Sequence, residues 1–372
     1  MRILIAIHSV ALGGAERMVA DLSRCWAEEG HDVTVFTKAD RSSDAYRLHP
    51  HVKRIALGWN RPTAGVGDLL KMVGVLRAQI HTLEPDVVIG MCSGYCTLAA
   101  LASLGQPCRV VGCEYAVPSK QPVGLVRVWL RCITYRFLDV VTTETQDAAD
   151  WLLRNTWLRR AATIPKSVMW PLSSEEPQVP PEIACKPGRK IVLAAGRLVP
   201  EKGYDALLLA FSRVAHEYSD WDLVIVGEGP CRAALEAQAV EPTLRGRVFL
   251  PGRVGNMAAW YSRAAIFAVS SRHEGGPNVL VEALAHGVPA VSFDCDVGPR
   301  AIIRDGVEGI LVPPDDTAAF AATLARLMDN EALRVQMAER AVEARQRFSE
   351  ANHMRNWDAL FRELGLDTAR VG

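Results

Sequence analysis

The sequence has no C-x-x-C pair, no apolar run of membrane-spanning length, no net charge and no repeat at solenoid period. Each absence excludes something. The nine cysteines are odd in number and irregularly spaced. A disulfide framework or a zinc site uses paired ligands, so buried thiols in a reducing compartment are expected. The 42 Lys and Arg are matched by 42 Asp and Glu, which leaves no basic footprint for nucleic acid. The opening apolar run, residues 3–7, is too short for a signal peptide and leads into a glycine loop. Nothing approaches the roughly 20 apolar residues that span a bilayer. A cytoplasmic protein is expected, either soluble or peripheral on the inner face of the membrane.

What is present fits a two-domain α/β chain. At 372 residues the chain exceeds what one core usually holds. Residues 3–7 read as a strand buried on both faces. A turn with Gly13 and Gly14 follows, then Met18, Val19, Leu22 and Trp26 at helical spacing, with Gly30 placed as a C-terminal cap. Strand-like runs recur at 33–36, 87–89, 109–112 and 140–142. Six prolines between 165 and 187 break the pattern and read as a linker. Strands are then expected at 190–195, 223–226, 248–250, 266–269 and 290–293. Helices are expected at 204–217, 232–238, 257–264, 278–286, 316–328 and 331–348, and a last one capped by Ser349. The predicted architecture is two Rossmann-like domains, 1–165 and 189–348, facing across a cleft. Residues 166–188 link them, and the helical segment 349–372 crosses back to the first domain. Ligands of such sheets bind beyond the carboxyl ends of the strands.

Three segments are suited to an anionic ligand. In Ser271-Arg272-His273-Glu274-Gly275-Gly276-Pro277-Asn278-Val279 a strand gives way to a helix. Gly275 and Gly276 let a ligand approach the backbone, and the helix start offers N–H groups and a positive dipole end. Pro277 suits the first helical turn. Glu274 precedes the helix and Glu282 lies inside it. In Ala195-Gly196-Arg197-Leu198-Val199-Pro200-Glu201-Lys202-Gly203, Arg197 offers a planar fork and Lys202 a point charge for a diphosphate. Gly13-Gly14-Ala15-Glu16 opens a helix near the N-terminus. Each also has a plainer reading: tight turns with solvated charges.

The first segment resembles the E-x7-E signature of retaining glycosyltransferase family 4, with Glu274 and Glu282 at its glutamates. Arg197 and Lys202 fit that family's G-R-x5-K-G element. Gly227-Glu228-Gly229-Pro230 and Phe249-Leu250-Pro251-Gly252-Arg253-Val254 resemble two further elements of it, and Gly13-Gly14-Ala15-Glu16 its N-terminal loop. The resemblance implies a GT-B fold and transfer of a sugar from a nucleotide-sugar to an acceptor hydroxyl. Arg197, Lys202 and Glu274 are its implied catalytic groups. Gly275, Gly276, Asn278 and Val279 would hold phosphate, with Gly13 and Gly14 near it. Glu282 would bind ribose, and Gly227, Arg253 and Val254 would lie near the base. No cofactor or metal is implied.

Three positions depart from the family. Tyr115, beside Glu114, replaces an N-domain histidine, Lys166 an asparagine, and Ala301 a glutamate. Glu16, Glu114 and Tyr115 are the acceptor-side candidates. The run around Gly298-Pro299-Arg300 resembles bacterial exopolysaccharide and lipid-linked oligosaccharide relatives. It favours a UDP-sugar over GDP-mannose, and a glycan or lipid-linked acceptor. Asp294-Cys295-Asp296 mimics a metal-binding D-x-D, but follows the E-x7-E helix. Within 119–137, Arg127, Arg131 and Arg136 stand among Trp129 and aliphatic residues, so this segment reads as an anionic-membrane contact or an ordinary amphipathic surface helix. A sugar-nucleotide epimerase and a degenerate nucleotide-sugar-binding scaffold are the alternatives.

Overall fold

The structure, a computed structural model, describes residues 1–11, 13–42, 44–59, 65–115, 124–295 and 298–367. It divides into two compact units, Met1–Pro165 with Met354–Gly372, and Lys166–His353.

The N-terminal unit runs β1 (Arg2–Ile7), α1 (Gly14–Glu28), β2 (Asp32–Thr37), β3 (Lys53–Ala56), α2 (Gly65–Leu83), β4 (Val87–Met91), α3 (Cys92–Ala102), β5 (Arg109–Glu114), α4 (Leu125–Thr134), β6 (Val140–Thr143), α5 (Gln146–Asn155) and β7 (Ala161–Thr163). Its seven strands lie in the order β3-β2-β1-β4-β5-β6-β7, with parallel pairing throughout. Successive side chains of a strand point to opposite faces, and the core divides accordingly. Ile3, Ile5, Val33, Val35 and Ile89 pack with α1 on one face, while Leu4, Ala6, Phe36 and Val88 pack with α2 and α3 on the other.

The second unit runs β8 (Lys190–Ala195), α6 (Tyr204–Val214), β9 (Trp221–Val226), α7 (Arg232–Ala239), β10 (Val248–Gly252), α8 (Met257–Arg263), β11 (Ile266–Val269), α9 (Asn278–Ala285), β12 (Ala290–Phe293), α10 (Gly298–Ile302), β13 (Gly309–Val312), α11 (Thr317–Asp329), α12 (Glu331–Ala341) and α13 (Ala344–Arg347); α14 (Glu350–Glu363) starts in this unit and belongs to the first from Met354 onward. The six strands are ordered β10-β9-β8-β11-β12-β13. Val192, Ala194, Leu223 and Ile225 face α6 and α11; Ile191, Leu193, Val224 and Phe267 face α8 and α9.

Several expectations need correction. Residues 166–188 are not a free linker. Val168, Ala184 and Cys185 are buried in the second unit's core, with Leu172 and Val179 packed against it. The Glu175 N–H donates to the Gly255 carbonyl, and the Gly255 N–H to that of Pro177. Proline removes regular structure but does not prevent apolar burial. The edge strands β3, β7 and β13 escape the sequence pattern because they are short and only part-buried. The expected helix 331–348 breaks into α12 and α13, and Pro277 caps α9 rather than entering it.

The final helix starts where the Ser349 hydroxyl accepts from the Asn352 N–H at 3.2 Å. It ends in a left-handed Gly365, φ 75°, with the Leu366 N–H returning to the Phe361 carbonyl, a Schellman stop. Its Trp357 and Phe361 pack on Trp26 of α1 at ring-centroid distances of 5.3 and 5.6 Å.

Candidate functional site in the second unit

The strand order of the second sheet reverses between β8 and β11, and ligands of open α/β sheets collect at such a switch point. The loop after β8 carries Arg197 and Lys202. The loop after β11 carries Glu274, Gly275 and Gly276. Both signature loops therefore arise from the two strands that flank the reversal.

Backbone contacts hold these loops together. Gly203 has φ 62°, and a Cβ there would lie 2.1 Å from the Ser270 carbonyl oxygen, so only glycine fits. The Ser270 hydroxyl donates to the Lys202 carbonyl at 3.0 Å, and the Arg272 N–H to the Glu201 carbonyl at 2.8 Å. The Arg272 guanidinium grips the Pro200 carbonyl and both oxygens of Asp205. That pairing holds the Asp205 carboxyl below its ordinary range, despite some opposing desolvation.

On this frame Lys202 Nζ forms an ion pair with Glu274 Oε1, which also accepts from the Ser271 hydroxyl at 2.8 Å. Arg197, on the same loop, is exposed. The next two strand ends are as close. A Cβ on Gly227 would lie 1.9 Å from the Gly196 carbonyl oxygen, and the Gly227 N–H donates to the Gly252 carbonyl. Beyond β10, Arg253 is exposed and Val254 is packed on the core.

The start of α9 completes the site. The first N–H groups of a helix lack intrahelical acceptors and carry a positive dipole end, and Asn278 and Val279 occupy those positions. Glu282, one turn further, is buried and accepts from the Tyr261 hydroxyl at 3.0 Å. The sequence reading missed Lys166 as a site group. Its ammonium donates to the Gly276 carbonyl and to Asn278 Oδ1, so the residue that departs from the family pattern braces the glycine loop. Tyr261 was missed as well, because it meets Glu282 only when α8 and α9 pack together, and Ser271 was read only as the start of the segment although its partner Glu274 is three residues away. Asp294 of the D-x-D pairs with Arg300 at 2.8 and 2.7 Å; Asp296 lies outside the described residues.

In the N-terminal unit, Gly13, Gly14 and Glu16 form the start of α1. Glu114 does not present a carboxylate to an acceptor. It is buried, with Oε1 accepting from the Tyr135 hydroxyl, and burial pushes its pKa up to about 7. Tyr115 is partly buried against the N-terminal core. Of the segment 119–137, residues 119–123 lie outside the described residues. Arg131 is not on the outer surface as expected; it turns inward, its guanidinium 5.2 Å from the Trp151 ring centroid.

Two parallel Rossmann-like sheets, one with both signature loops at its switch point, are the two domains of the GT-B glycosyltransferase fold. Residues 12–168 match the family described as Glycosyltransferase Family 4, and residues 189–330 that described as Glycosyl transferases group 1. The chain belongs to glycosyltransferase family 4. It is 32% identical over 301 residues to an exopolysaccharide phosphotransferase of Streptomyces coelicolor, covering 80% of this chain but 30% of that protein. It is 25% identical over 373 residues to a Campylobacter jejuni α-1,4-N-acetyl-D-galactosaminyltransferase, named for an undecaprenol-diphosphate-linked acceptor, covering 98% and 99% of the two chains. Among solved structures, Anabaena HepE in complex with UDP shares the fold, with TM-score 0.79, 18% identity and coverage of 98% and 100%.

Proposed function

We propose that the protein moves a sugar from a nucleotide-sugar, a UDP-sugar in preference to GDP-mannose, to a hydroxyl of a lipid-linked or surface-polysaccharide glycan, with retention at the anomeric carbon. The observation that carries this reading is the Lys202–Glu274 pair beside the start of α9. A carboxylate, an ammonium and a helix N-terminus stand together where a sugar and its diphosphate need, respectively, an acceptor, a counter-charge and N–H donors.

In the reaction, the bond from the anomeric carbon to the diphosphate oxygen breaks and a bond to the acceptor oxygen forms. The acceptor proton passes to the departing diphosphate on the same face. Lys202, Arg197 and the α9 N-terminus stabilise the leaving charge. Glu274 orients the sugar, and Glu282, positioned by Tyr261, accepts from the ribose. The base lies near Gly227, Arg253 and Val254, and Gly13 and Gly14 are the phosphate-side candidates of the N-terminal unit. The acceptor-side groups are Glu16 and Tyr115. Asp294 is occupied by Arg300, which supports metal-independent turnover. The names of the Campylobacter relative and of the HepE complex support the lipid-linked acceptor and the uridine base.

Lys202→Ala and Glu274→Ala, assayed with the donor that raises the protein's thermal midpoint, should each lower kcat by about 100-fold or more. Full activity in either variant would remove its residue from the site. Product mass in the absence of acceptor separates transfer from epimerisation.

A further inference from the structure

The N-terminal sheet has its own reversal of strand order, between β1 and β4, and a pocket of about 660 Å³ lies there. His8 follows β1, Lys38 follows β2, and Ser93 and Gly94 open α3, so the pocket sits at the carboxyl ends of the strands. Its walls, from α2, α3 and α4, are largely apolar and include Leu69, Met72, Leu98 and Leu130.

Set into this wall is Arg131, only 5% exposed, whose Nε has no hydrogen-bond partner. The guanidinium lies over the Trp151 ring, but Nε is left without an acceptor, and a buried charge is costly unless an anion or dipoles compensate it. Glu114 exerts an attractive field on Arg131, but its Oε1 takes the Tyr135 hydroxyl, and burial favours its neutral form. Lys38, 4% exposed, and Arg127 line the same pocket. Three cationic side chains on an apolar cavity match a ligand with an anionic head and a hydrocarbon body.

We propose that this pocket binds an amphiphilic phosphate taken from a membrane, with the phosphate on Arg131, Lys38 and Arg127 and the hydrocarbon along Leu69, Met72, Leu98 and Leu130. The outer face of α4 identifies the source. Val126 and Trp129 are 67% and 64% exposed, and Ile133 and Phe137 are exposed beside them. Residues 126, 129 and 133 share one helix face. Exposed apolar and aromatic side chains flanked by Arg127 and Arg136 suit the surface of an anionic bilayer. Val126 belongs both to this face and to the pocket wall, so the two surfaces are continuous. The inference rests on the lipid-linked acceptor reading only for what the ligand is used for; binding is measured without donor or transfer.

The probes are farnesyl phosphate, farnesol and inorganic phosphate, titrated calorimetrically into the full chain. Farnesyl phosphate should bind saturably, and about tenfold or more tighter than either of the others. Arg131→Gln should weaken it by about tenfold or more, and Leu69→Trp, which fills the pocket without touching its charge, should do likewise. In both variants the N-terminal unit should keep its cooperative unfolding transition, which shows that the substituted unit is folded, and the nucleotide-induced thermal shift of the second unit should persist. Equal binding of farnesol would leave only an apolar cavity, and equal binding of inorganic phosphate only a free-anion site; either overturns the proposal, as does unchanged affinity in both variants. Trp129→Ser should reduce cosedimentation with phosphatidylglycerol vesicles, and undiminished cosedimentation would remove the membrane source. Farnesyl phosphate binding without a UDP shift would support the pocket and remove the donor reading; a UDP shift without farnesyl phosphate binding would do the reverse.

Discussion

Glu114→Gln tests the interior of the N-terminal unit through pH. Glu114 is 2% exposed, its Oε1 accepts from Tyr135, and Oε2 has no partner. Desolvation raises its pKa from 4.5 to about 7, against smaller opposing effects of the Tyr135 hydrogen bond and the Arg131 charge. The carboxyl is thus protonated over a range in which the unfolded chain has already released the proton. A folded pKa above the unfolded one means that this stabilising contribution is complete below pH 4.5 and is lost as pH rises towards 7.

At about 1.4 kcal/mol per pH unit, the rise from 4.5 to about 7 amounts to about 3 kcal/mol of native stability lost across that interval. Glutamine retains an acceptor for Tyr135 and does not titrate. Its amide N–H₂ replaces the unpartnered oxygen at a constant cost, independent of pH. Urea unfolding at a series of pH values, with the wild-type and variant curves subtracted, isolates the slope from that constant. The expected result is a wild-type curve that falls relative to the variant by about 3 kcal/mol between pH 4.5 and pH 7. Parallel curves would refute the reasoning, because they would mean that Glu114 is ionised in the fold at ordinary cost.

Two further predictions concern backbone approach and the final helix. Gly227→Ala places a Cβ 1.9 Å from the Gly196 carbonyl oxygen at φ 144°, so the β8 and β9 ends must separate. Nucleotide affinity should fall while the N-terminal unit's unfolding transition stays put; wild-type affinity would show that the strand ends can yield. Trp357→Ala removes a ring that is 1% exposed and edge-on to Trp26 at 5.3 Å. Denaturant unfolding should show a loss of about 3–5 kcal/mol, and a loss under about 1 kcal/mol would mean that α14 contributes little to that core.

Much of this protein is determined locally. Continuous apolar runs such as residues 3–7 and 190–195 specify buried parallel strands because both their faces need cover. Gly30 and Ser349 mark helix ends through backbone conformation and capping alone. The Glu274 and Lys202 motifs were legible because their residue types and spacings are contiguous in the chain. Other features depend on which strands become neighbours. The order β8-β11 decides that the Lys202 and Glu274 loops meet, and Gly203 against Ser270 fixes how closely. The same assembly makes Lys166 a brace for the glycine loop, although its position read only as a departure. A spacing of four puts Arg127 and Arg131 on one helix face, but the spacing does not say which way that face points. Packing of α4 against α3 and α5 turned Arg131 inward onto Trp151 and left Trp129 outside. Burial depends on what lies opposite a side chain, and for these residues the opposing groups come from distant parts of the chain.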